Sequence, residues 1–272
     1  MKKIVMLCEN SIESMLTAIY DGFVIKNERF AGVKKNLPEY QNNIEIRPLE
    51  NYEYEMFAEY ITVKTDEEKA EKTVYAIRKK LGEKVWHTTL RAICHFDNNR
   101  GTQVFHFLVR GFRMGSKVID MLYDTYVISV MELSRKTANE AHYFVQFIRF
   151  EEMNHILYSR IEPKCNVLPL IAEHFSERFP NEDFIIYDVV KKLSVVHKKY
   201  EKCFFVRDSE ITLPESDNIK NELAEESNDY GMLWKTYFDS IAIEQRKNRN
   251  CQRNMLPLWY RKNMIEFSKE NS

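Results

Sequence analysis

The feature that most constrains this chain is a run of amphipathic helical segments with almost nothing to interrupt them. From Thr65 to Ala141 the apolar residues recur at three- and four-residue spacing, and the breaks between segments are short. Thr65-Asp66-Glu67-Glu68 has the form of a capping box, with Thr65 as the capping hydroxyl and Glu68 reaching back. The helix it opens should end at Gly82, and further helices are expected near 83–96, 102–114, 116–122 and 126–141. Glycine and proline number only seven each, which argues against a sandwich or barrel rich in tight turns.

Before this block, residues 3–7 read as a strand and Ser11 to Phe23 as a short helix. Residues 26–58 read as a long polar loop with a short strand near Ile44 to Ile46, and Ile61 and Val63 alternate as in another short strand. The pattern changes near His142. Tyr143 to Phe150 alternates and is rich in β-formers, and Met153 to Ile161 is a second strand candidate. Leu168 to Phe179 has helical spacing. Phe184 to Tyr187, Lys192 to His197 and Cys203 to Arg207 read as three more strands. The expected fold class is therefore α+β. A helical N-terminal region with a short leading strand, residues 1–141, precedes a domain over 142–272. That domain is an antiparallel sheet in β-β-α-β-β-β order with C-terminal helices. Residues 208–229 read as an acidic loop, Tyr230 to about Arg249 as a helix, and 250–255 as a short further helix before Pro257.

Several functional classes are disfavoured by residue usage. No stretch approaches the ~20 apolar residues that span a bilayer, so no membrane association is expected. The start of the chain lacks the form of a signal peptide. The five cysteines are far apart and form no C-x-x-C pair, which points away from disulfides or a zinc knuckle and towards a cytoplasmic location. The seven histidines show no metal-ligand spacing, so no metal and no cofactor are expected. RGFRMGSK (110–117) is locally basic but lacks the order of a phosphate loop, and no nucleophile elbow is present.

Net charge is near zero at −1, yet it is unevenly spread. Between Arg246 and Lys262 lie Arg246, Lys247, Arg249, Arg253, Arg261 and Lys262 with no acid among them. Trp259 and Tyr260, and the amides of Asn248, Asn250, Gln252 and Asn254, are interleaved. Guanidinium and ammonium groups bind phosphate, amides reach phosphates or base edges, and aromatics stack on exposed bases. The competing reading is a solvated helix end, whose dipole favours cations, or a surface for an acidic protein. Arg149, on a segment otherwise rich in aromatics, calls for an ion pair or a ligand, and Asp188 is its candidate partner. Asn166 stands where it could cap the helix that follows. His174 and Arg178 are four apart and share a helical face. With Asp188 nearby they could bind an anion or move a proton, so His174 and Asp188 are the candidate catalytic pair.

The whole chain resembles a bacterial family of DNA metabolism proteins whose C-terminal region is a domain of unknown function. The resemblance is densest in FVQFIRFEE (144–152), PKCNVLPLIAEHFSERFPNEDFIIYD (163–188) and IAIEQRKNRNCQRNMLPLWYRKNMIEF (241–267). It is looser in SIESMLTAIYDGF (11–23), TDEEKAEKTVYAI (65–77) and VRGFRMG (109–115). The matched polar positions are Arg149, Asn166, His174, Arg178, Asp188, Arg246, Asn248 and Arg253. Where relatives carry a Tyr-Trp pair, this chain has Tyr260-Arg261, with Trp259 one position earlier. The resemblance implies a genomic setting beside a radical-SAM protein of DNA modification or repair, and some relatives are fused to a uracil-DNA glycosylase-like domain.

The expectation is thus a DNA-binding accessory protein that acts with a radical-SAM partner. Its nucleic-acid surface would comprise Arg149, Asn166, Arg178, Arg246, Asn248, Arg249, Arg253, Tyr260 and Arg261. One alternative is an enzyme on nucleic acid that uses His174 and Asp188, with Arg149 or Arg178 as an anion clamp. The other is a scaffold that docks on protein.

Overall fold

The computed structural model describes residues 3–29, 43–50, 52–153, 155–208, 233–238, 240, 241, 243, 248–262 and 264–267. The protein is mixed α+β, in two compact units, Met1–Ala138 and Asn139–Ser272.

The first unit is built on a three-stranded parallel sheet. Strand β1 (Lys3–Cys8) lies between β2 (Ile44–Pro48) and β3 (Ala58–Thr62). A central parallel strand must be covered on both faces, and all of Ile4 to Cys8 is buried. Ile4, Met6 and Cys8 join a core with α1 (Ile12–Arg29), α2 (Glu67–Leu81), α3 (Glu83–Ile93) and α4 (Arg100–Met114). The expected helical block is present, and the strands read at 3–7, near Ile44 to Ile46 and around Ile61 pair into one parallel sheet.

Strand β2 is an edge, and an unpaired edge exposes backbone donors and acceptors. Helix α4 closes it. Thr102 Oγ1 accepts from the N–H of Ile46 and donates to its carbonyl, both at 3.0 Å. One turn on, His106 Nε2–H donates to the carbonyl of Ile44 at 3.1 Å. Gly101 permits this approach, since a Cβ there would lie 2.8 Å from the Ile46 carbonyl oxygen.

Helix α2 starts one residue later than the capping-box reading placed it. Asp66, not Thr65, is the N-cap, and its carboxylate accepts from Lys69 N at 3.1 Å. A carboxylate adds a favourable charge at a helix N-terminus that a hydroxyl lacks. The helix ends as expected at Gly82, whose φ of 88° suits glycine.

A 3-10 turn (Gly115–Asp120) leads to the long helix α5 (Thr125–Phe147), and the division between the units falls within it. The strand expected over Tyr143 to Phe150 is therefore corrected: the segment is helical to Phe147. Aromatics at 143, 144 and 147 satisfy a helical stripe as well as a strand alternation, and α5 extends through them.

The second unit has a five-stranded sheet in the order β4-β5-β6-β7-β8. Its strands are Glu151–Met153, Ile156–Ile161, Phe184–Asp188, Leu193–His197 and Phe204–Arg207. The observed order is again β-β-α-β-β-β, but its first strand is Glu151–Met153 and not the expected Tyr143 to Phe150, and the sheet is mixed and not wholly antiparallel. Helix α6 (Leu168–Arg178) joins β5 to β6, and a helical crossover returns the chain in the same direction, so these two strands are parallel. The other neighbours are antiparallel. The core lies between sheet and helices, with Phe144, Ile161, Leu168, Ile171, Phe175, Phe184, Ile186 and Val195 buried together.

Residues 233–238 are helical. The short helix expected near 250–255 is present as α7 (Arg249–Met255), and the helix expected from Tyr230 stops before it, because Asn248 is extended and caps α7. Two 3-10 turns follow, Leu258–Arg261 and Ile265–Phe267. The acidic stretch at 209–229 and Arg246 lie outside the described residues.

Candidate nucleic-acid interface

The site is best built from the loop that leaves β5, Glu162 to Asn166. A loop of this kind holds its shape only if its backbone groups find partners. Glu140 on α5 supplies two acceptors: Oε1 receives the N–H of Lys164 at 2.7 Å and Oε2 that of Cys165 at 3.0 Å. Lys191 Nζ donates to the carbonyl of Pro163 at 3.1 Å and contacts Asp188 Oδ2 at 3.3 Å. The loop is thus pinned at three successive residues. Asn166 does not cap α6 as expected. The N-cap position is Val167, and the Asn166 Oδ1 is buried with no protein partner among the described residues.

The closing segment packs on this loop. Trp259 donates its indole N–H to the carbonyl of Glu162 at 3.0 Å. Lys262 Nζ reaches the Glu162 carboxylate at 2.9 Å and lies 4.1 Å from the centre of the Trp259 ring. Lys164 approaches the same ring at 5.3 Å. Despite these contacts Trp259 is 39% exposed. Tyr260 turns inward, 4.9 Å from Tyr143 and 5.1 Å from Phe144 between ring centres. Burial, and then the nearby Glu140, pushes its phenol well above the usual tyrosine range.

Arg261 also turns inward. It is buried, its Nε donates to the carbonyl of Leu256 at 3.2 Å, and its guanidinium lies over Phe267 at 4.5 Å. It serves to hold the closing turns. Arg149 does not pair with Asp188. It binds Glu266 through Nη2 at 2.9 Å and Nε at 3.3 Å, which ties the start of the sheet to the last turn. Asn248 acts as the α7 N-cap, accepting from Cys251 N at 3.0 Å. Arg249 and Arg253 are exposed one helical turn apart, and neither has a carboxylate partner among the described residues.

The proposed acid–base pair is not assembled. Asp188 is fully buried, and its Oδ1 accepts from the N–H groups of Val190 at 2.9 Å and Lys191 at 3.0 Å. Burial raises its pKa, opposed by Lys191. It anchors the turn after β6. His174 is exposed on α6 with its ring edge-on to Phe175, and Arg178 is exposed over Phe179. Neither is hydrogen-bonded to Asp188 among the described residues. In the first unit, the basic patch near 110–117 is partly closed, since Arg110 is ion-paired with Asp124.

Of the sequence-derived site residues, the structure brings Arg149, Asn166, Tyr260 and Arg261 into the framework around the loop and closing turns. It leaves Arg178, Arg249, Arg253 and His174 on exposed helix faces. Glu140, Glu162 and Lys164 were not singled out by the sequence, because their partners lie 24 to 100 positions away and leave no local pattern. Among the described residues there is no group of three or more His, Cys, Asp or Glu side chains placed to hold a metal ion. No described helix is long and apolar enough to cross a membrane.

Residues 98–266 match a protein family described as a domain of unknown function, DUF4130, and the chain belongs to that family. The matched stretch includes the Glu162–Asn166 loop, α7 and the closing turns around Trp259. No curated protein and no solved structure matches the chain.

Proposed function

We propose that this protein is a DNA-binding accessory factor of DNA repair or modification that works with a radical-SAM partner. One observation carries the reading. The second unit presents cations that its described acids do not take up. Arg249 and Arg253 are exposed, and Lys164 lies beside an exposed indole, all without a carboxylate partner among the described residues. Cations left open to solvent are available to phosphate, and phosphate contacts supply most of the affinity of such surfaces. The radical-SAM partner rests on the family resemblance of the three motif blocks.

The test is the salt dependence of binding to a short DNA. Affinity should fall steeply with salt, by a slope of about 0.7–0.9 per phosphate contact. The double variant Arg249→Glu, Arg253→Glu should flatten that slope by between one and two such contacts. Absence of DNA binding at low salt sinks the reading. If DNA binding fails while the partner still co-purifies in an Arg249- and Arg253-dependent way, the surface is a protein dock.

A further inference from the structure

We propose that Trp259 is a stacking platform for an unpaired base and that the DNA this surface prefers is single-stranded. The inference rests on the DNA-binding reading above and narrows it to one form of DNA.

A large indole left 39% exposed has given up much of its burial energy. It is nevertheless held in place. Its N–H is spent on the Glu162 carbonyl at 3.0 Å, so the ring has one orientation, fixed against a loop that is itself pinned by Glu140 and Lys191. A fixed ring loses little conformational entropy when a planar partner arrives. The two ammonium groups near it differ. Lys262, at 4.1 Å from the ring centre, is held by the Glu162 carboxylate. Lys164, at 5.3 Å, has no carboxylate partner among the described residues. Both cations lie over the ring, Lys262 tethered at 4.1 Å and Lys164 open at 5.3 Å, so an arriving base takes the place of Lys164, which turns to the flanking phosphate.

That combination suits a nucleotide whose base lies on the indole and whose flanking phosphate meets Lys164. Every base has a π-face, so the contact is tolerant of sequence. In a duplex both faces of each base are covered by its neighbours. An exposed indole therefore engages a base only where the strand is unpaired, at a gap, a flap or a flipped nucleotide.

The experiment compares a single-stranded oligothymidine of about 12 nucleotides with a duplex of the same length, a size within the usual range for one such site. Trp259→Leu should weaken the single strand about tenfold, the loss expected for one stacked base, and leave the duplex unchanged. Trp259→Phe should restore most of the difference. Both variants lose the N–H bond to Glu162, so a purely structural role affects them alike, whereas only the leucine loses the π-face. Oligothymidine should quench wild-type tryptophan fluorescence more than that of Trp259→Phe.

The platform is overturned if Trp259→Leu binds oligothymidine as tightly as the wild type. It is also overturned if the leucine and phenylalanine variants are equally weak, or if duplex and single strand lose affinity together. In each of those outcomes the wild type still binds DNA, and the broader reading survives. If the wild type binds neither form, both readings fail.

Discussion

Arg149 and Glu266, 117 positions apart, meet through a single carboxylate oxygen, with Nη2 at 2.9 Å and Nε at 3.3 Å from Oε1. The Glu266 side chain is only 2% exposed and Arg149 is 32% exposed, so the carboxylate depends on this partner more than the guanidinium does. Its other oxygen is buried with no protein partner among the described residues. Arg149→Ala should therefore leave a buried charge without compensation and lower stability by about 1–3 kcal/mol. Glu266→Gln should cost less, because an amide oxygen still accepts from the guanidinium and carries no charge to bury. Denaturant midpoints test the ranking, and an alanine variant no weaker than the glutamine variant contradicts it.

Glu140 offers a second measurement. Its two oxygens accept from consecutive backbone N–H groups, Lys164 and Cys165, at 2.7 and 3.0 Å. Glu140→Ala strands both donors, and a loss of about 2–3 kcal/mol is expected. Glu140→Gln keeps one acceptor and should fall between alanine and wild type. Identical urea midpoints for all three proteins would show that the loop does not depend on this carboxylate.

Burial, reinforced by Arg110, lowers the pKa of His106 from 6.5 to about 4. The folded state thus holds His106 neutral while the unfolded chain takes up a proton below 6.5. The contribution to stability is complete above pH 6.5 and is lost as pH falls towards 4, at up to ~1.4 kcal/mol per pH unit. His106→Gln keeps an N–H donor for the Ile44 carbonyl and removes the titration. Urea unfolding at pH 7 and at pH 4.5 should show a smaller difference for the variant than for the wild type. Equal differences would place the acid sensitivity elsewhere.

What the sequence revealed, and what it hid, follow from the range of the forces involved. The faces of α2, α3 and α4 were legible because burial repeats with the helical period, and Gly82 marks its turn by itself. Tyr143 to Phe147 was misread because its aromatics satisfy both periods, and the choice belongs to the helix that runs into them. The parallel pairing of β5 and β6 follows from a crossover, which is a property of the connection and not of either strand. Arg149 was recognised as needing a partner, but Glu266 lies 117 residues away, and spacing cannot choose it over Asp188. Trp259 and Lys262 stood out within a basic run. Their anchor at Glu162 and their neighbour Lys164 are fixed by tertiary packing alone.

The seal that Thr102 and His106 place on β2 bears on where the family's shared stretch begins. The match starts at residue 98, just before α4, whereas β2 lies at Ile44–Pro48. The shared stretch therefore owns the donors and the hydroxyl but not the strand they serve. A fragment excised at that boundary would carry Gly101, Thr102 and His106 facing empty space, with the buried faces of Val104, Phe105 and Leu108 newly wetted. The limits of sequence kinship and the limits of folding do not coincide here. In this chain α4 is completed by an extended segment that the shared stretch does not contain.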